Sequence, residues 1–252
     1  MLRLGQLNIV ESFEVLKTIP DGKVLINTIN AYSYCIAQKD DIYKESLSKC
    51  DYLLPDGMSI LWGCKWLNGK SIPKERIAGW NLFSFEMEKL ERKCKNLNVN
   101  NEKLRVMFMG SSEKVLRLIQ RRCCIDYPNL DVVMYSPPYR ESFSEEDSRA
   151  MINTINEAKP DLLWIGMTAP KQEKWTWLHW DELQINCHVG TIGAVFDFYA
   201  GTARRAPLWW QEHGLEWLYR LLKEPKRMWR RYLVGNPLFI WNIIKEKYGK
   251  KE

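Results

Sequence analysis

A Rossmann-like α/β fold, with a mostly parallel sheet and helices on both faces, is predicted by two features of this sequence. Six short apolar, β-rich runs alternate with helical patterns along the first 200 residues. Strands buried on both faces and separated by helices imply parallel pairing. With 252 residues, 46% hydrophobic and 27% charged, the chain fits one large soluble domain, or one domain with an appendage.

The runs, with their trailing loops, are "KVLINTIN" (23–30), "DYLLPDG" (51–57), "KLRVMFMG" (103–110), "LDVVMYS" (130–136), "DLLWIGM" (161–167) and "INCHVGTIG" (185–193). Helical patterns occupy 31–38, 41–49, 58–67, 80–95, 113–124, 145–158 and 171–183. The polar, Asn-rich stretch "NLNVNNEKL" (96–104) reads as a loop between two halves, with no repeat at a fixed period.

From residue 206 the character changes. "APLWWQEHGLEWLYRLLKEP" is amphipathic and is broken by Pro225. "KRMWRRYLV" follows, and Pro237 then opens a short helix ending in lysines. Residues 203–252 hold twelve Lys or Arg against five acids, a charge of +7, while the rest of the chain sums to −1. Five of the twelve tryptophans lie there too. Such an asymmetry points to an anionic partner. Aromatic residues interleaved with cations suit a lipid interface and equally a nucleic acid. The expected division is therefore a core at 1–202 and a basic, Trp-rich appendage at 203–252.

The opening residues have no apolar leader, and no window reaches the roughly 18 apolar residues of a spanning helix. Seven cysteines without a CxxC pair read as reduced thiols. The expected location is the cytoplasm, peripherally on the inner face of the membrane.

In open α/β sheets, ligands bind outside the carboxyl ends of the strands. The residues there are Thr28 and Asn30; Asp56 and Gly57; Gly110, Ser111 and Ser112; Thr168 to Gln172; and Gly190 to Gly193. Ser111 or Ser112 would cap the next helix and leave backbone N–H groups facing this edge. Pro-Asp-Gly at 55–57 is ordinary turn chemistry, yet its position would turn the Asp56 carboxylate toward the same edge.

Several segments together resemble the WecG/TagA/CpsF family of bacterial glycosyltransferases. They are "INTINA" (26–31), "LLPDGMSI" (53–60), "RIAGWNLF" (76–83), "APKQEKW" (169–175), "VGTIGAVFDFYAGTARRAPLWW" (189–210) and "GLEWLYRLLKEPKRMWRRYL" (214–233). Their order and spacing cover more than 200 residues. The resemblance implies an inverting transfer from a UDP-sugar to a polyprenyl-diphosphate-linked saccharide in teichoic acid or cell-surface polysaccharide synthesis. N-acetylmannosamine, its uronic acid and a hexose such as glucose stay open as the sugar. It also implies an appendage that meets the membrane and helps complete the site. The family's proposed base lands on Asp56, its Thr/Asn pair on Thr28 and Asn30, its Arg and Gly on Arg76 and Gly79, and its Gln on Gln172. The chain departs from the family pattern at "MGSSE" and "SPPYRESF", where relatives carry further glycines.

The transfer needs a base for the acceptor hydroxyl and charge to stabilise the departing diphosphate. Thr28 and Gln172 join Asp56 as candidate catalytic residues. Asn30, Gly57, Arg76, Gly79, Gly110, Ser111, Lys171, Gly190 and Gly193 are candidate substrate contacts. With no DxD and no HExxH, no metal and no cofactor is expected, and arginines take the metal's place. Arg204, Arg205, Arg220, Arg227, Arg230 and Arg231 are the candidates for the diphosphate and lipid acceptor, and three of the last four can share a face if one helix runs past Pro225. Asp197 reads as a buried helix-end partner. A homo-oligomer stays open, and nucleic acid is not an expected partner. The alternative is a non-enzymatic α/β protein that binds nucleic acid through its basic tail. A dinucleotide oxidoreductase is disfavoured, because the GxGxxG pattern with its acid is absent.

Overall fold

The computed structural model describes residues 1–97 and 103–249, without the side chains of Leu97 and Arg227. Six strands form one sheet in the order β2-β1-β6-β5-β3-β4. They are β1 (Val24–Ile29), β2 (Tyr52–Pro55), β3 (Arg105–Met109), β4 (Asp131–Tyr135), β5 (Leu162–Ile165) and β6 (His188–Thr191). Every pairing is parallel. The fold is Rossmann-like, and each predicted run contains its strand.

Alternation along the strands shows why both faces are covered. Val106 and Phe108 of β3 pack in one cluster with Leu162 and Trp164 of β5, while Met107, Met109, Leu163 and Ile165 pack in another. The first face is closed by α4 (Gly79–Leu97), α5 (Glu113–Asp126) and α8 (Gly193–Ala200), the opposite one by α6 (Glu145–Ala158) and α7 (Lys171–Leu178). A third cluster gathers Ile29 and Leu53 under α1 (Ala31–Ala37), α2 (Asp41–Ser48) and α3 (Met58–Leu67).

The seven predicted helices are present, with two corrections. The stretch read as helical to 183 leaves the α-helix at Leu178 and ends in a 3-10 turn, Trp180–Glu182. The residues after Gly193, read as following a loop, form α8, whose Val195 and Phe196 are buried. Apolar residues at 192, 195, 196 and 199 carry the helical spacing that the two glycines obscured. The Asn-rich stretch 96–104 begins inside the last turn of α4, and residues 98–102 of it lie outside the described residues.

The last fifth of the chain forms α9 (Leu208–Glu212), α10 (Glu216–Lys223), α11 (Pro225–Trp229), a π-helical turn (Arg230–Val234) and α12 (Gly235–Tyr248). The helix does not run past Pro225. Proline disfavours helical geometry in the residue before it, and Glu224 takes φ −131°, ψ 59°. Arg220 and Arg231 are thus carried by separate elements.

α12 is built into the molecule. Phe239 and Ile243 lie in the cluster with Tyr34 and Ile60, and Phe239 meets Tyr34 edge to face, 5.4 Å between ring centroids. The Glu246 carboxylate accepts the N–H groups of Leu4 and Gly5, both at 2.8 Å, and the Tyr34 hydroxyl at 3.0 Å. These charge-assisted bonds join the two ends of the chain. Part of a core cluster thus comes from beyond residue 202, so removing the tail would open that cluster. Phe239→Ala should lower unfolding free energy by about 3–5 kcal/mol in urea titrations. An unchanged midpoint would show that α12 is only an appendage.

Candidate functional site

The carboxyl ends of β1, β2, β5 and β6 open into a cleft of about 1250 Å³, lined on its other side by the tail. Asp56 continues the β1–β2 pairing by one residue, its N–H donating to the Ile29 carbonyl at 2.8 Å. Gly57 follows with φ +148°, a conformation L side chains rarely adopt. The chain turns there into α3, and Asp56 lines the cleft.

The charges around Asp56 come from distant parts of the sequence. Burial raises its carboxyl above the ordinary aspartate value. Arg76 opposes that shift, Glu216 reinforces it, and Arg231 and Arg220 oppose it. Glu216 of α10 is tied to Arg76 at 2.9 Å and stands 3.9 Å from Arg205. Aromatic faces hold the cations in place: Arg205 lies 5.5 Å from the Trp80 ring, Arg220 5.6 Å from Phe198 and Arg231 5.3 Å from Tyr32.

Other cleft residues are already engaged. The Asn30 side chain caps α1, accepting from the N–H groups of Tyr32 (3.1 Å) and Ser33 (3.0 Å), which leaves its amide nitrogen for a ligand. Gln172 is buried. Its amide oxygen accepts the N–H groups of Met167 and Gly193, each at 3.1 Å, and its nitrogen donates to Glu173 at 2.9 Å. Gln172 therefore joins the loops after β5 and β6. A Cβ on Gly193 would lie 2.0 Å from the Met167 carbonyl oxygen, so this junction requires glycine.

Thr28, Gly57, Arg76, Gly79, Ser111, Lys171, Arg205, Arg220 and Arg231 also line the cleft. Ser112 rather than Ser111 caps α5, and Ser111 takes φ +62°. Lys171 donates to the Arg140 carbonyl and lies 3.6 Å from the Phe143 ring centre. Gly110 and Gly190 are not among the lining residues. Cβ atoms there would meet Gly166 and Trp164, so both serve close packing. Arg204 and Arg230 are exposed outside the cleft, Arg230 lying over Trp229, and the Arg227 side chain lies outside the described residues. Asp197, expected to be buried, is half-buried in α8 and lines the cleft, accepting from the Thr202 hydroxyl at 3.2 Å. Among the described residues no three His, Cys, Asp or Glu side chains form a group that could hold a metal.

Two buried or half-buried cleft acids, Glu216 and Glu173, are not marked by the sequence. Glu216 is one of five acids in the basic segment, and nothing local sets it apart from Glu212 or Glu224. Glu173 adjoins Gln172 in "APKQEKW", where nothing in the pattern sets it above its neighbour. It is 1% exposed, and burial pushes its carboxyl up to about 7 against the pull of the Gln172 hydrogen bond and of Arg231. A carboxylate of raised basicity at a strand end can take a proton from a hydroxyl. The guanidinium groups opposite it can bind a diphosphate.

A family model described as "Glycosyl transferase WecG/TagA/CpsF family" matches residues 2–252. The chain is 29% identical over 228 residues to the N-acetylglucosaminyldiphosphoundecaprenol N-acetyl-beta-D-mannosaminyltransferase of Bacillus subtilis (strain 168), spanning 90% of this chain and 81% of that protein. A protein of the same description from Bacillus spizizenii is 31% identical over 211 residues, 84% and 75% of the two chains. One from Staphylococcus aureus (strain MW2) is 26% identical over 226 residues, 90% and 82%.

Glu173 also links pH to stability. Between the ordinary glutamate value and about 7 the folded protein keeps a proton that the unfolded chain has released, so stability falls as pH rises through that window. Gln does not titrate. From pH 4.5 to pH 8 the stability of Glu173→Gln should therefore gain on the parent, by roughly 2–3 kcal/mol. A difference independent of pH in urea titrations would contradict this.

Proposed function

The chain belongs to the WecG/TagA/CpsF family of glycosyl transferases, and we propose that it moves N-acetylmannosamine from a UDP-sugar to a polyprenyl-diphosphate-linked acceptor with inversion. The observation that carries the chemistry is Asp56, raised in basicity at a strand end and faced by Arg76, Arg220 and Arg231. The choice of sugar, and the lipid-diphosphate acceptor, rest on the descriptions of the relatives. The nucleotide rests on the family resemblance alone.

In this reading Asp56 accepts the proton of the acceptor hydroxyl as its oxygen attacks the anomeric carbon. The bond from that carbon to the diphosphate breaks, its electron pair stays on the phosphate oxygen, and UDP departs. Permanently charged guanidinium groups stabilise that leaving group without a metal. Glu216, now held by Arg76 and near Arg205, occupies cations that the diphosphate would use.

The tail's outer surface supports attachment to a membrane. Eleven of the nineteen exposed large hydrophobic residues among those described lie between Leu208 and Tyr248, including Trp209, Trp229, Leu233 and Trp241. No helix of the described residues is long and apolar enough to cross a bilayer. Exposed Arg204 and Arg230 border this surface in sequence, and each cation near an anionic bilayer contributes about 1 kcal/mol. A lipid-linked acceptor would wait at the same surface.

Three experiments test the reading. Asp56→Asn should keep its fold and bind UDP, while transfer to a short-chain lipid-diphosphate acceptor, followed by mass spectrometry, falls about 10²-fold or more. EDTA should leave the parent's rate intact. Near-parental turnover by Asp56→Asn would remove it as the base, and a strict divalent requirement would remove the arginine argument. In flotation with anionic vesicles, Leu233→Glu combined with Trp241→Glu should release the protein yet retain transfer to the soluble acceptor. Undiminished flotation would place the membrane contact elsewhere.

A further inference from the structure

Six buried side-chain polar atoms among the described residues have no hydrogen-bond partner: Tyr43 Oη, Glu86 Oε1, Glu91 Oε2, Glu173 Oε2, His188 Nδ1 and Arg231 Nε. Leaving such an atom unsatisfied is costly, so each one needs an explanation. Three of the residues have local ones. Glu86 faces His188 as an ion pair at 3.2 Å, Glu91 is paired with Lys95 at 3.4 Å, and none of the three lines the cleft. The remaining three residues, Tyr43, Glu173 and Arg231, come from α2, α7 and the π-helical turn, and all three line the cleft.

These three groups share one environment. The Tyr43 hydroxyl feels the charges of both Glu173 and Arg231, and Glu173 feels Arg231. Ser33 is the hydroxyl that bears on Tyr43, but its proton goes to the Asn30 carbonyl at 2.9 Å, so it cannot donate to the phenol, and the Tyr43 oxygen has no partner within hydrogen-bond reach. Gln172 holds one oxygen of Glu173 at 2.9 Å and leaves the other unpartnered. Arg231 also acts on Asp56, so this polar end of the cleft lies one guanidinium away from the proposed base.

We propose that Tyr43, Glu173 and Arg231 form a subsite that holds the sugar ring of the nucleotide-linked donor through a hydroxyl or acylamino substituent. The inference rests on the function proposed above. A carboxyl group accepts, a guanidinium N–H donates and a phenol does both. A sugar hydroxyl or acylamino group satisfies that mixed set. A phosphate, which only accepts, would face an acidic residue there, whereas the cations around Asp56 offer it a better place. The subsite thus separates sugar recognition from diphosphate recognition, with Arg231 between them. Specificity then has a physical source, because a sugar lacking the matching substituent would leave all three groups unpaired.

Binding separates the two kinds of recognition. UDP and UDP-N-acetylmannosamine should be titrated calorimetrically into the parent, Tyr43→Phe and Glu173→Leu. All three proteins should bind UDP within about twofold. The intact donor should bind Tyr43→Phe about 5-fold and Glu173→Leu about 10-fold more weakly than the parent, the loss expected for single hydrogen bonds. In turnover the defect should appear in KM for the donor more than in kcat. If Glu173→Leu does not fold, Tyr43→Phe decides, since it removes only one oxygen. Parental affinity of the variants for the intact donor would overturn the subsite while leaving the transferase reading in place. Equal losses for UDP and donor would also overturn it, by reassigning these groups to the nucleotide or to the fold. A parent that binds no nucleotide sugar would overturn both.

Discussion

A carboxylate held in a cleft needs compensating charge, and for Asp56 that charge comes from opposite ends of the sequence. Arg76 arrives just before α4, whereas Arg220 and Arg231 arrive 144 and 155 residues later. Burial alone would favour the neutral acid, and the guanidinium groups restrain that shift. The carboxyl is therefore more basic than an ordinary aspartate yet surrounded by cations that suit a diphosphate. Much of the architecture can be traced to the requirement that these groups meet.

Parallel pairing brings the strand ends to one edge, and Gly57 turns the chain directly after Asp56. The tail supplies the opposite wall, yet none of the residues in α9 or α10 is fully buried. Its position is secured from both ends of these helices. Glu216 bonds to Arg76 on one side, and on the other α12 is anchored by Phe239, Ile243 and the Glu246 carboxylate. The tail consequently has two faces, an inner one presenting Glu216, Arg220 and Arg231 and an outer one presenting tryptophans and aliphatic residues.

The sheet was legible in the sequence because strands buried on both faces leave continuous apolar runs, as in "DLLWIGM" and "KLRVMFMG". The place of Asp56 at the cleft was legible because a Pro-Asp-Gly turn at a strand end brings its side chain to the edge where the strands finish. Glu173 was hidden for the converse reason. Its surroundings are made by α2 and the π-helical turn, both remote in sequence, and no local pattern reports them. The packing of α12 was hidden as well, since a short amphipathic helix looks alike whether its apolar side meets lipid or Tyr34. Pro225 marked a break, but only the fold shows Arg230 turned outward and Arg231 lining the cleft.

The claim that the C-terminal arginines belong to the same site as Asp56 is tested most directly by titrating that carboxyl. Carbon-detected NMR of the Asp56 side chain, in the parent and in Arg220→Gln combined with Arg231→Gln, would follow it. The account predicts a midpoint above the ordinary aspartate value in the parent and a further rise in the variant, because the two guanidinium groups favour the ionised form. An Asp56 midpoint that stays where it was when both arginines are gone would contradict it.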